Sequence, residues 1–230
     1  MTRSASAVGR RVSPARLERK SAGGSVADHV RKLIFDGELR GGDRVPQQEI
    51  AETLGVSRIP VREGIVALER EGFVTIEPHR GAFVNRFDRE TIEDHYELFG
   101  VISGHVARRM AERASPEDLA ELEDVCQAVE LADDSSAMRL HADHFWMVLA
   151  RVGGSRRLNG LMQTFASIVP GSFFDVVPDS IPVARRGFRE IAAAIRRGDG
   201  DAAAAACIQM MRAHVDNVVR VHEERKAAIR

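Results

Sequence analysis

Apolar residues recur at helical spacing through Val26, Val30, Leu33 and Ile34, and the run stops at Gly37. This predicts a helix capped by Ser25 and ended by the glycine. After Gly41-Gly42-Asp43, a second short amphipathic run from about Gln47 to Leu54 places Ile50, Ala51 and Leu54 on one face, and Gly55 ends it in a tight turn. A third run, capped by Ser57 and reaching about Glu71, buries Val61, Ile65 and Leu68 and tolerates Pro60 in its first turn. The period then changes. Phe73-Val74-Thr75-Ile76 and Ala82-Phe83-Val84 are β-prone and joined through Glu77-Pro78-His79-Arg80-Gly81, which predicts a hairpin. Three helices with a glycine turn before the third, followed by a hairpin, make a winged helix-turn-helix.

From Asp88 the pattern is helical throughout. Thr91 with Asp94 reads as a capping box for a helix to about Ala114, and Ser115-Pro116-Glu117-Asp118 opens another to about Leu131. Ser135 or Ser136 starts a third, ended at Gly153-Gly154, and a fourth covers about Arg156–Val169 with Phe174 as its outer limit. Pro178 to Pro182 form a connection, and Gly198-Asp199-Gly200 separates final helices at about Val183–Arg197 and Asp201–Glu224. Six helices with short links imply a bundle, and bundle cores commonly hold ligands. The expected fold is mainly α: a flexible basic arm at 1–24, a winged helix-turn-helix at 25–87, and a helical effector-binding and dimerisation domain at 88–230.

Composition narrows the class. With 44% hydrophobic and 29% charged residues, the 230-residue chain can bury a real core. No stretch reaches the ~18–20 uninterrupted apolar residues of a spanning helix, and no apolar signal core follows Met1, so no membrane partner and a cytoplasmic location are expected. Cys126 and Cys207 lack CxxC or CxxH spacing, which points away from a disulfide framework and a structural zinc. Without a metalloprotease His/carboxylate pair, a Gly-rich phosphate loop or a nucleophile elbow, an enzyme is only the remote alternative. The net charge of −1 speaks against nucleic acid until its distribution is read. Residues 1–88 carry 15 Lys and Arg against 12 Asp and Glu, whereas the remainder carries 18 against 22. The arm alone holds Arg3, Arg10, Arg11, Arg16, Arg19 and Lys20 against Glu18. The basic residues therefore belong to the helix-turn-helix end.

Arg58 and Arg62 lie one turn apart at the start of the third helix. There an arginine can enter a major groove and donate two hydrogen bonds to guanine. Ser57 and the free N–H groups beside it suit a phosphate, and His79-Arg80-Gly81 at the wing tip suits a minor-groove or backbone contact. The stretch Val26 to Asn85, above all Ser57-Arg58-Ile59-Pro60-Val61-Arg62-Glu63, resembles the winged helix-turn-helix of the GntR family of bacterial transcription regulators. The resemblance implies that Arg58, Arg62, the wing tip and Gln47 or Gln48 contact operator DNA.

About residues 90–222 resemble the FadR C-terminal domain, FCD, of the same family's FadR subfamily. That resemblance implies a bundle in which an Asp and three His hold a divalent metal that anchors a carboxylate effector. Here the corresponding positions carry Ala142, Trp146 and Phe188, with only His214 retained, and Phe99 and Ser103 replace a frequent Arg and Glu. One histidine cannot hold a metal, so none is expected as cofactor. His141 and His144 flank Ala142 but project about 100° and 200° away from it. Two outcomes stay open: a core filled by Trp146 and Phe188 that only dimerises, or an apolar pocket. In the pocket a fatty acid or acyl-CoA would gain ~0.8 kcal/mol per buried CH₂, and its head group would be met by His214 or Arg185. Met162, Met210 and Met211 could line it. A metal-dependent organic-acid sensor using His214 with other ligands is the alternative within the family. The expectation is a homodimeric repressor of an operator, modulated by a hydrophobic effector through a hinge at Arg86–Glu90.

Overall fold

The computed structural model describes residues 21–165 and 168–229, so the basic arm lies almost wholly outside the described residues. The first helix, α1 (Ala22–Asp36), is capped by Ser21, whose hydroxyl accepts from the Gly24 N–H at 3.1 Å. It begins ahead of the expected boundary at Ser25. Gly23 is buried in this added turn, where a side chain would come within 3.0 Å of Glu63 Cβ. The next two helices, α2 (Gln47–Leu54) and α3 (Arg58–Arg70), are joined by a turn in which Gly55 has φ 62°. Two antiparallel strands, β1 (Val74–Glu77) and β2 (Gly81–Val84), form the hairpin, with Val74 opposite Val84 and Glu77 opposite Gly81. The segment before α2 runs along the hairpin: Val45 N–H donates to the Ala82 carbonyl and Val84 N–H to the Asp43 carbonyl, both at 2.9 Å. Val26, Val30, Ile50, Val61, Ile65 and Leu68 form the shared core.

The second half is built on α4 (Arg89–Arg113), α5 (Pro116–Leu131), α6 (Ser135–Val152), α7 (Arg156–Phe165), the single turn α8 (Phe173–Val176), α9 (Ile181–Arg196) and α10 (Gly200–Ala228). Ser115 and Asp118 make the reciprocal capping box expected for α5. The box expected at Thr91 and Asp94 is absent, because Asp88 caps α4 instead, accepting from Thr91 N–H at 3.2 Å. Likewise Asp134, rather than Ser135 or Ser136, caps α6. In both places an aspartate one to three residues earlier wins the first free N–H groups. Pro182, expected in a connection, sits in the first turn of α9, where its missing N–H costs nothing. The long helices α4 and α10 lie in close contact: a Cβ on Gly104 would stand 2.9 Å from the Ala204 carbonyl oxygen.

The two halves are locked together by the end of α10. His222 donates from Nδ1 to the Phe35 carbonyl at 2.7 Å, and Arg225 pairs with Asp36 at 2.5 Å. Phe87, in the connection expected to be a hinge, stacks on Phe73 at 5.8 Å and meets His222 edge-on at 5.0 Å. Arg86 pairs with Asp88, which itself caps α4. The Arg86–Glu90 stretch is therefore anchored at three successive residues rather than slack. Its sequence, short and charged, gives no sign of the aromatic partners that arrive from α1 and α10.

Candidate nucleic-acid interface and ligand cavity

α2, α3 and the hairpin enclose an open cleft of about 790 Å³, whose lining includes Arg44, Gln47, Gln48, Arg58, Arg62 and Gly81. Arg58 donates to Gln48 Oε1 at 3.3 Å, and Gln48 Nε2 donates to Glu52 Oε1 at 2.7 Å, so the arginine is pre-oriented from α2. Arg62 is exposed and has no hydrogen bond or ion pair among the described residues. Ser57 occupies the cap position of α3 without a side-chain cap bond, leaving its hydroxyl and the first N–H groups of the helix open. His79 turns the hairpin with φ 61°, and Arg80 lies over the Phe83 ring at 5.3 Å while pairing with Glu77. Gly81 is flush with Arg44: a side chain there would meet the guanidinium at 3.0 Å.

Two residues of this face escaped the sequence reading. Arg44 follows a turn and has no periodic signal; only its pairing with Phe83 carries it to the cleft. Ile59 is 71% exposed beside Arg58. Its place off the Val61-Ile65-Leu68 stripe could have shown it as an apolar side chain on a polar face.

In the bundle, a cavity of about 170 Å³ is lined by Phe99, Ala142, Trp146, Phe188 and His214, together with His95. Five of the seven residues expected at an effector site thus meet at one space. Trp146 lies 5.5 Å from Phe99 and 5.7 Å from Phe188 between ring centroids, and Phe173 stands edge-on to His214 at 5.2 Å. Ser103 and Arg185 are elsewhere. Ser103 is wholly buried and donates to the Phe99 carbonyl at 2.7 Å. Arg185 donates from Nε to the Val129 carbonyl at 3.3 Å and from its terminal nitrogen to the Ala132 carbonyl at 2.5 Å. It thereby closes the C-terminus of α5, whose last carbonyls have no helical partner. The structure thus corrects the expectation that Arg185 meets an effector head group.

His214 is 4% exposed and its Nδ1 has no hydrogen-bond partner among the described residues. Burial pushes its pKa down to about 4. Burial does the same to His95, also to about 4, against a hydrogen bond to the Phe165 backbone and with the Arg31 charge adding to the depression. Arg139 and Asp143, paired at 3.2 Å, are solvent-exposed and stand at the cavity's edge. The residues do not fit the divalent metal of the resembled domain. Ala142, Trp146 and Phe188 offer it no lone pair, and His144 is bonded to Glu121 at 3.2 Å. Among the described residues no group of three or more His, Cys, Asp or Glu could hold a metal ion. His95, Phe165 and Ile168 also line a second space of about 180 Å³, shared with Phe73 and Phe87 at the junction of the two halves. One thin wall therefore divides the cavity from the helix-turn-helix side.

Comparison with known proteins agrees with this architecture. The profile for bacterial regulatory proteins of the gntR family matches residues 23–84, and that for the FCD domain matches residues 94–217. An uncharacterized HTH-type transcriptional regulator of Mycobacterium tuberculosis is 36% identical over 186 residues, covering 80% of this chain and 75% of that protein. The HTH-type transcriptional repressor RspR of Escherichia coli K12 is 25% identical over 203 residues, 85% of this chain and 88% of its own. Among solved structures, E. coli McbR/YncC superposes with a TM-score of 0.60 at 17% identity, covering 87% of this chain and 98% of that one. Lar, which controls expression of the Listeria monocytogenes agr system, superposes with a TM-score of 0.59 at 19% identity, covering 88% and 99%. No helix among the described residues is long and apolar enough to cross a membrane. The chain belongs to the GntR family of DNA-binding transcriptional regulators, with an FCD domain as its C-terminal half.

Proposed function

We propose that this regulator is a cytoplasmic homodimeric repressor whose hold on operator DNA is released by a small, hydrophobic effector in the bundle cavity. The observation that carries the reading is the path of α10. His214 and the neighbouring Met210 and Met211 line the cavity, and about 12 to 17 Å further along the same helix His222 and Arg225 grip α1. A ligand that shifts α10, or the wall at His95 and Phe165, acts on the seat of the reading head. Release requires only that the ligand bind the DNA-free arrangement more tightly than the DNA-bound one. On the DNA side, Arg58 and Arg62 read base edges, Ile59 meets a thymine methyl, and Ser57, Gln47, Arg44 and the wing tip hold phosphates. GntR-family regulators typically act as dimers, and α4 offers Leu98 and Val101, 49% and 53% exposed and one turn apart, to a second copy.

The test begins with a duplex selected from a random-sequence pool by the full-length chain. Arg58→Ala should weaken binding to it by ~1–3 kcal/mol and relax base preference at one position per half-site. Unchanged affinity and preference would remove Arg58 from the reading role.

A further inference from the structure

Resting on the cavity as the effector site, we propose that its ligand is a neutral molecule of about one aromatic ring, carrying a hydroxyl that hydrogen-bonds to His214. Four observations converge. The cavity holds about 170 Å³, close to the ~150 Å³ that admits benzene in an engineered apolar core and below the ~300 Å³ where pockets for drug-sized ligands begin. A long acyl chain exceeds this space and would have to run out into the wider, more open groove of about 500 Å³ that shares Phe99, Asp143 and Trp146 with it. The walls are ring faces and edges, with Trp146 at 45° to Phe99 and 77° to Phe188, and Phe173 at 88° to His214. Such walls complement another ring through offset and edge-to-face contacts.

The third observation is His214 itself. Its Nδ1 is buried and without a partner among the described residues, while the residue as a whole is 4% exposed and lines the cavity. A ligand hydroxyl that bonds to the cavity-facing side of this imidazole would recover part of the free energy that a buried polar group left unpaired costs. The fourth is the placement of charge. Among the residues lining the cavity, the lysine or arginine present is Arg139, about half exposed and already paired with Asp143. A carboxylate pushed inside would lose its water and gain no buried cation in exchange. A hydroxyl loses far less.

The chain contains one tryptophan, and it is Trp146 in the cavity wall, so its emission reports occupancy directly. We would titrate the full-length protein with benzyl alcohol, toluene, benzoate and hexadecanoate. Benzyl alcohol should change Trp146 emission saturably, binding roughly threefold to tenfold more tightly than toluene and at least about tenfold more tightly than benzoate. His214→Leu should bring benzyl alcohol down to the affinity of toluene and leave toluene within about twofold. The wild-type comparison decides the matter even if that variant does not fold. Benzoate binding as well as benzyl alcohol, hexadecanoate binding in preference to the rings, or no ring probe binding would each overturn the proposal. The same ligands are then added to the protein on its selected duplex. Selective binding of benzyl alcohol without release of DNA would sink the effector reading and leave the ligand class standing. Release by benzoate or hexadecanoate alone would keep the effector reading and sink the class.

Discussion

At the scale of single residues, Arg58 and Arg62 were accessible to sequence reasoning because side chains in the first turn of an exposed helix project in a direction set by the helix alone. Ser103 and Arg185 were not. A polar side chain inside a bundle goes to whichever carbonyl is free nearby, and spacing along one helix does not say that the end of α5 lies beside Arg185. Arg44 makes the same point from the DNA side, and its role is testable. Arg44→Ala should weaken DNA binding about equally for all sequences and reduce the slope of log K against log salt by about 1, the mark of a phosphate contact. Loss of preference at one base would instead place Arg44 among the reading residues. His95 and His214 give a pH signature. Both are held neutral down to about 4 by burial, whereas in the unfolded chain they protonate near 6.5. Between those values the unfolded state binds more protons, so the stability tied to their neutral form is complete above about pH 6.5 and is lost as pH falls toward 4. Thermal unfolding should therefore drop by several degrees between pH 7.5 and 5, and His214→Leu should flatten that drop. An equal drop in the variant would show that other groups carry it.

At the scale of elements, periodicity identified the first three helices and the two strands, and cap and breaker residues marked out the long helices of the bundle. Boundaries were less accessible. Ser21, Asp88 and Asp134 cap helices that other residues seemed equally able to start, and choosing among neighbouring cap candidates takes the three-dimensional path of the preceding chain. The reading of Arg156–Val169 as one helix also needs amendment, since α7 reaches Phe165 and a separate turn, α8, begins at Phe173. Glycines inside helices were the other gap. Gly104 sits mid-helix, where glycine is disfavoured, and only the approach of α10 explains it. Gly104→Val should cost about 1–3 kcal/mol by overpacking that contact, read as a lower denaturant midpoint with unchanged slope. A neutral substitution would mean that α4 and α10 can slide apart.

At the scale of the whole molecule, the net charge of −1 is a cancellation between a basic N-terminal part and an acidic bundle. On the proposed reading, the face that meets DNA is the cleft carrying Arg44, Arg58 and Arg62 with Arg80 at the wing tip, doubled in a dimer. Affinity for the selected duplex should fall roughly 10³-fold or more between 50 and 200 mM salt. A nearly flat response would argue against this face. The joining of first helix to last bears on how the protein is made. The hydrogen bond between His222 and Phe35 spans 187 positions of sequence, so it closes only when nearly the whole chain has been synthesised. Domains fold as units from the N-terminus during synthesis. The reading head of a nascent chain thus has the chance to fold before α10 exists to seat it. On this ordering, and with the proposed effector acting through α10, the newborn protein passes through an interval in which its reading head is folded but beyond the reach of any ligand, and emergence of the final helix brings that interval to an end.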